Sequence, residues 1–438
     1  MRRPSGASGA ALAAAPTLLA VTFLWRAAQN AGQTTYPLIG RDLLHMGSFA
    51  IGSLVAASGV ANVFFSTVVI SRARKRPPAV LLAAGQVLTL AAFVMVVLPA
   101  GRAGLWVGAV ALGAASGLVF PSLMTAIATA SAGRRAKALA VMSVALSASL
   151  VAGPLVEAGV LRVLGDSLRA ALGGMIAFPA GAAVLAVWWA RRRPPAGEPR
   201  LDPAGPSDPV AAGETVPLVG LGPALPAVAT GPDDGQRGAT FRLALSVMLT
   251  YQVPFAALIA FGALLARQAD GASASKAEMA FGVFFAASGA VRLLLTVAPV
   301  TRHIRGILAA SAVMTVIGVG ALGLARSFWE LVVAMAVLGL PHGTTFPLAS
   351  TILAEFGHAD ERELVRANGR LMAGTNGASI LVPLLFGLVA AQLGYRAMFL
   401  LIEVPVVVAA GLLMAQLLSP RSPLRRTAGV SGPSPAAW

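Results

Sequence analysis

The chain has 438 residues, of which 57% are hydrophobic and 11% charged, whereas a soluble domain carries about 25% charge. This composition predicts an all-α membrane protein, and the lack of cysteine excludes disulfides, thiolate metal sites and a cysteine nucleophile. The net charge of +16 does not indicate nucleic acid as a partner, because the cations lie between apolar runs instead of on one soluble face.

A membrane span needs roughly 20 apolar residues, and six such runs are predicted in each half of the chain. The first half gives 11–36, 49–70, 79–99, 103–129, 136–163 and 168–190, and the second gives 239–266, 277–299, 306–325, 328–353, 365–391 and 395–417. We therefore expect two pseudo-symmetric six-helix bundles, 1–190 and 239–418. The N-terminal apolar run continues past Arg26 into further spans, so we interpret it as a retained helix and not as a cleaved signal peptide.

Two pairs of segments repeat within the chain. LGAASGLVFPSLMTAIA (112–128) resembles LGLPHGTTFPLASTILA (338–354) at a separation of 226 residues. FAIGSLVAASGVAN (49–62) resembles MAFGVFFAASGAVR (279–292) at a separation of 230 residues. Nearly equal separations predict a duplicated half, which is typical of transporters that bind substrate between their repeats.

The connections predict how the chain is oriented. Residues 191–238 are rich in Pro, Gly and Ala and are expected to be a disordered cytoplasmic linker, with 419–438 as a cytoplasmic tail. Counting Lys and Arg between the spans puts 23 cations on one side and 8 on the other. This asymmetry predicts a multi-pass protein of the cell membrane with both termini in the cytoplasm.

Polar side chains form a stripe on the first span. Arg26, Gln29, Asn30 and Gln33 recur at spacings of three and four residues, so they share one helical face with Thr22. Such a face is costly in lipid, and we expect it to line a substrate cavity. The alternative is that these groups bond neighbouring helices.

Other polar groups in the spans are candidates for the same cavity. The repeat pairs Asn62 with Arg292, which either contacts substrate or extends toward the lipid headgroups. Tyr251 and Gln252 fall where Trp25 and Arg26 lie in the first half. The remaining candidates are His342, which lies between Pro341 and Gly343, and Asn376.

Few acidic groups are available to carry a coupling proton. Glu403 lies in the twelfth span and Glu157 near the outer end of the fifth, and His342 could also bind a proton. A structural hydrogen bond is the alternative for each. Because cations outnumber acids in the spans, we expect a small-molecule substrate with an anionic or electron-rich group.

The span number, the parallel halves and the basic loops together resemble the major facilitator superfamily over residues 11–417. The family's loop motif of glycine, aspartate and basic residues matches TVVISRARKR only in its cations, since Thr67 and Ser71 replace the glycine and the aspartate. The resemblance implies gating loops formed by Arg72, Arg74, Lys75 and Arg76 and by Arg302 and Arg305. The missing acid implies that a charge-based latch is altered here.

A second motif resembles the drug and proton antiporters of that family. Gly153 and Pro154 in SLVAGP match their Gly-Pro motif, but Ala109 stands where these antiporters usually carry an arginine. The resemblance implies proton-coupled export of a drug-like compound or metabolite. Uptake or exchange of an organic anion is one alternative, and a non-transporting sensor or scaffold is another. The sequence contains no GxxxxGK[ST], GxSxG or HExxH motif, so we expect neither an ATP-driven pump nor an enzyme, and no cofactor.

Overall fold

A computed structural model describes residues 7–73, 76–130, 135–192, 234–268, 271–297, 300–356, 361–420 and 422–424. The first half forms six helices. They are α1 (Ala7–Leu38, followed by a π-helical turn over Ile39–Leu43), α2 (Ser48–Arg72, with a π-helical turn over Phe65–Val69), α3 (Pro78–Val97), α4 (Gly101–Ala130), α5 (Arg135–Val163) and α6 (Leu168–Arg192).

The second half also forms six helices, with α7 (Asp234–Gln268), α8 (Ala274–Val297), α9 (Val300–Leu324) and α10 (Phe328–Phe356) followed by Glu361–Leu418. Gly394 breaks this last segment into α11 (361–393) and α12 (395–418), because its φ of 81° lies in the left-handed region that favours glycine.

The described helices have the lengths that a membrane requires. Among the described residues, ten helices are long and apolar enough to cross a bilayer, and one of these, Ala367–Leu418, contains most of α11 and all of α12. The predicted all-α membrane fold is confirmed.

The described chain forms two compact units that do not follow the predicted bundles at every point. The first unit contains α1 to α6 together with Ile259–Gly282 and Pro383–Ala391, and the second contains the other described residues of the second half. Most of the predicted linker, residues 193–233, lies outside the described residues, as do 425–438 of the tail. The domain boundaries therefore stay a prediction.

Each unit has its own apolar core. In the first, Leu18, Trp25, Leu123 and Trp189 are buried together from α1, α4 and α6. In the second, the core draws on α7, α9, α10, α11 and α12, with Leu243, Leu308, Leu348, Leu371 and Leu413 among its members. Large apolar side chains on other faces, such as Val107 and Val404, are more than half exposed, as expected of surfaces that meet lipid.

Glycines allow the same close helix contact in both units. A β-carbon at Gly113 or Gly117 of α4 would overlap the carbonyl oxygen of Ser58 or Asn62 of α2. In the second unit, Gly339 and Gly343 of α10 approach Phe284 and Ser288 of α8 in the same way. Small residues that let helices approach closely are the usual device for packing inside a membrane.

These contacts also define the register of the repeat. In the structure Asn62 corresponds to Ser288, a separation of 226 residues that equals that of the other repeated segment. Alignment by the shared Ala-Ala-Ser-Gly would instead pair Asn62 with Arg292. The two registers differ by four residues, about one helical turn, so both keep the same helix face. Arg292 therefore lies about one turn beyond the structural counterpart of Asn62.

Candidate functional site

The polar stripe of α1 faces protein, and two of its amides bond neighbouring helices. Arg26 donates from a terminal guanidinium nitrogen to Gln29 Oε1 at 2.6 Å, and Gln29 Nε2 donates to Ser116 Oγ at 2.6 Å. Asn30 Nδ2 donates to the Leu150 carbonyl oxygen at 3.2 Å. Gln29 and Asn30 thus connect α1 to α4 and α5, which was the alternative role for these residues, while Arg26 is half-buried beside them.

Three other predicted cavity residues are Gln33, Asn62 and Asn376. All three side chains are half-buried, and none makes a side-chain hydrogen bond within the described part of the chain. Their amides therefore retain donors and acceptors for a bound molecule or for water. Whether they line a cavity stays a prediction.

The last turn of α1 contacts two carboxyl groups. Thr34 Oγ1 donates to Glu278 Oε2 of α8 at 2.9 Å, and Thr35 Oγ1 donates to Glu157 Oε1 of α5. Both glutamates are fully buried within the first unit. Sequence reasoning missed Glu278, because a carboxylate at the start of a helix is usually solvated and stabilises the helix dipole.

In the second unit, aromatic rings surround His342. We call Tyr251, Phe255, Phe284, Phe285 and His342 the His342 group. The imidazole lies with its ring centroid 4.6 Å from Phe255, 5.1 Å from Tyr251, 5.2 Å from Phe284 and 5.8 Å from Phe285. The planes of the first three rings are within 32° of the imidazole plane, so α7, α8 and α10 together present a stack of nearly parallel rings.

Unpaired polar atoms accompany the His342 group. Tyr251 Oη, Ser288 Oγ and Arg292 Nε are buried and have no hydrogen-bond partner within the described residues. Arg292 and Tyr251 also lie close enough for each to act electrostatically on the other. The predicted residues Tyr251, Arg292 and His342 are thus brought together. The phenylalanines were missed because apolar residues in a span give no signal that separates a binding surface from a core.

Gln252, another predicted cavity residue, bonds a neighbouring helix. Its Nε2 donates to Ser379 Oγ at 2.7 Å, so it connects α7 to α11 on a face adjacent to Tyr251. The hydroxyl of Ser379 in turn donates to the Thr375 carbonyl oxygen at 3.2 Å. This polar chain restrains the middle of α7.

Glu403 lies apart from the His342 group within the second unit. Its carboxyl group is half-buried and faces α9, where a β-carbon on Gly320 would lie 3.7 Å from Glu403 Oε2. That oxygen is buried and has no hydrogen-bond partner among the described residues. The structure therefore does not bring the two predicted coupling groups, Glu403 and His342, into one cluster.

The predicted gating cations are only partly described. Arg72 and Arg76 are exposed at the end of α2, whereas Arg74 and Lys75 and the side chain of Arg302 lie outside the described residues. Arg305 donates to the Leu417 carbonyl oxygen at 2.6 Å, so this cation bonds the last turn of α12. Cations are stabilising at that end of a helix, which gives Arg305 a structural role whether or not it also gates.

Comparison with known proteins supports the fold and the family. The family model of the Major Facilitator Superfamily matches residues 243–437. A comparison with curated protein sequences gives no match.

Several solved structures share the fold. The nucleoside transporter NupG superposes with a TM-score of 0.69 at 15% identity, covering 93% of this chain and 99% of that chain. A bacterial homologue of the human lysosomal transporter Spinster, in an inward-facing and unoccupied conformation, gives 0.68 at 14%, covering 99% and 100%. The peptide transporter POT in complex with sulfate gives 0.68 at 13%, covering 92% and 93%.

All three of these structures are of transporters, and the likeness in fold extends over both halves of the chain. The similarity in sequence to the family model lies in the second half. The chain therefore has the fold of these transporters, and its second half matches the Major Facilitator Superfamily.

Proposed function

We propose that the protein exports a small organic molecule from the cytoplasm by alternating access, in exchange for protons. The observation that carries this proposal is the His342 group with its unpaired polar atoms. Stacked rings bind flat organic molecules by offset stacking, and the unpaired Tyr251 hydroxyl and Arg292 Nε–H can bond the polar end of such a molecule. The substrate class is thus a planar molecule with an electron-rich or anionic group.

The other proposed substrate contacts are Arg26, Gln33, Asn62 and Asn376. Their half-buried polar groups supply donors and acceptors inside spans that are otherwise apolar. Gln29, Asn30 and Gln252 support these contacts by holding α1 and α7 against their neighbours.

For the coupling proton, His342 and Glu403 are candidates. An imidazole titrates in the physiological range when unperturbed, and protonation of His342 would change the charge inside the His342 group. Glu403 offers a carboxyl oxygen without a partner in the described region. Exchange of protons at either group would couple the gradient to substrate binding.

Inverted membrane vesicles test the proposal directly. A panel of planar aromatic acids and bases is offered from outside while the vesicle lumen is acidified. We expect at least one compound to accumulate, and a protonophore to abolish its accumulation. Tyr251→Phe should weaken the apparent affinity for the transported compound about fivefold, because it removes one hydrogen bond of about 1 kcal/mol. Tyr395→Phe, at the start of α12, is the control and should leave the affinity unchanged.

Uptake or exchange of an organic anion is the second candidate. It is favoured by Arg292, whose buried Nε lacks an acceptor among the described residues. In this case, the same vesicles would accumulate an aromatic acid only when they are preloaded with a counter-substrate, and acidification alone would have no effect. Absence of flux for every compound tested would instead favour a sensor or scaffold.

A further inference from the structure

Glu157 and Glu278 meet at the end of α1 although α5 and α8 are far apart in sequence. Consecutive hydroxyls, those of Thr34 and Thr35, bond one carboxyl each, and the charge of Glu157 acts on Glu278. Both carboxyl groups are fully buried, and all four residues belong to the first compact unit. We call these two glutamates the carboxyl pair.

The hydrogen bonds of Thr34 indicate where a proton lies. Its hydroxyl is 3.1 Å from the carbonyl oxygens of both Asn30 and Ala31, and 2.9 Å from Glu278 Oε2. A hydroxyl has one hydrogen to donate and two lone pairs to accept. Three acceptors therefore compete for the single hydrogen of Thr34, and a protonated Glu278 that donates to Thr34 Oγ1 would remove this competition.

The carboxyl pair also has unpaired groups around it. Glu157 Oε2 and Glu278 Oε1 are buried without a partner within the described part of the chain, and so is the hydroxyl of Tyr36, which interacts electrostatically with Glu157. Leaving a buried polar group unpaired costs about 1–3 kcal/mol. An additional proton between these oxygens supplies a missing donor, so the arrangement points to a ligand.

No described cation neutralises the carboxyl pair. The guanidinium of Arg267 is bonded to Asp42 at 3.1 Å and to the Ala272 carbonyl oxygen at 2.7 Å. Lys276 of α8 is exposed, and Asp166 accepts from the backbone N–H of Ser275 at 3.0 Å. Two buried carboxyl groups that act on each other without a cation do not both ionise, and one of them keeps its proton.

A recess lies at the start of α8, where Ala274 is one of its lining residues. It has a volume of about 330 Å³, and its charged lining residues are Asp42, Asp166, Arg169 and Arg267. Glu278 follows Ala274 by one helical turn, about 6 Å along the α8 axis, and is not among the lining residues.

We propose that the carboxyl pair holds one exchangeable proton, and that this proton, at a site separate from His342 and Glu403, couples the gradient to the transport cycle. The inference rests on the proposed function for its role in coupling, but the proton site itself stands on geometry. Loss of the proton leaves two buried negative charges that repel each other, and this repulsion weakens the contacts of α1 and α5 with the start of α8. Its departure is thus the event that frees α8.

Infrared difference spectroscopy on the purified full-length protein tests the site without any substrate. The protonated carboxyl band should appear on acidification, shift in D₂O, and be lost in both Glu157→Gln and Glu278→Gln. Glu330→Gln, which alters an exposed carboxylate at the start of α10, is the matched control and should leave the band unchanged. A band that persists in both variants would overturn the proposal.

Two further measurements distinguish a proton site from a loss of folding and from a sodium site. Thr34→Val and Thr35→Val keep both glutamates and should shift the midpoint of the band, which keeps the test open if a glutamine variant fails to fold. Sodium that removes the band at constant pH would overturn the proposal in favour of a sodium site.

In vesicles, Glu278→Gln should retain substrate exchange and lose the acceleration by a pH gradient. Unchanged acceleration would overturn the coupling role. If the wild-type protein moves no compound, the proposed function fails while the spectroscopic result still decides on the proton site.

Discussion

Arg26 and its neighbours show how one helix face combines structural and candidate functional groups. Gln29 bonds α4 and Asn30 bonds α5, so both residues fix the position of α1. The side-chain oxygen of Gln29 also accepts the hydrogen bond from Arg26. The spacing of these residues predicts the stripe, because helical periodicity alone places them on one face. It does not predict which of them bond protein, since that depends on Ser116, 87 residues away, and Leu150, 120 residues away.

Arg26→Ala should lower substrate flux and leave the folded amount in the membrane unchanged. The lost interaction, a hydrogen bond to a charged group, is worth about 1.5–3 kcal/mol, which corresponds to about tenfold or more in flux. Gln29 keeps its bond to Ser116, so α1 stays in place. Transport assays together with size-exclusion chromatography would check this, with Arg191→Ala at the exposed end of α6 as control. Undiminished flux would remove Arg26 from the substrate contacts.

At the scale of helices, the glycine contacts explain why the repeated segments resemble each other. LGAASG and LGLPHG keep glycines at equivalent positions because α4 and α10 both approach a neighbouring backbone there. The repeat and the helix bounds could be predicted from hydropathy and spacing. The register of α2 against α8 could not, because a shift of four residues preserves the same helix face.

We expect Gly113→Ala to destabilise the protein by about 1–3 kcal/mol, since its β-carbon would overlap the Ser58 carbonyl oxygen. Gly159→Ala in α5 is the matched control, because no atom lies within 4 Å of its added carbon. It should be neutral or stabilise by up to about 1 kcal/mol, through higher helix propensity. Thermal unfolding of the purified variants would measure both. Equal midpoints for the two would contradict a tight contact between α2 and α4.

For the whole molecule, the sequence and the structure divide the chain differently. The linker predicts a break at 191–238, whereas Ile259–Gly282 belongs to the same compact unit as α1 to α6. Glu278, Arg267 and Ser275 make contacts there with Thr34, Asp42 and Asp166. These partners are 109 to 244 residues apart in sequence, a distance over which neither hydropathy nor motif spacing carries information.

The predicted orientation can be tested with single cysteines, because the natural chain contains none. Ala103→Cys at the exposed start of α4 and Ser207→Cys in the predicted linker should lie on opposite sides of the membrane. We expect an impermeant maleimide to label only Ala103→Cys in intact cells and only Ser207→Cys in inverted vesicles. The reverse pattern would place both termini outside.

Thr34 and Thr35 are consecutive residues, so their side chains diverge by about 100° around the axis of α1. One hydroxyl therefore bonds α8 and the other bonds α5. The rotation of α1 about its own axis thus determines whether both hydrogen bonds can form. An extra residue inserted between Asn30 and Thr34 would rotate both hydroxyls away from their acids and leave Arg26 and Gln29 undisturbed. Helix α1 would then keep its proposed substrate contacts and lose its contacts with the carboxyl pair.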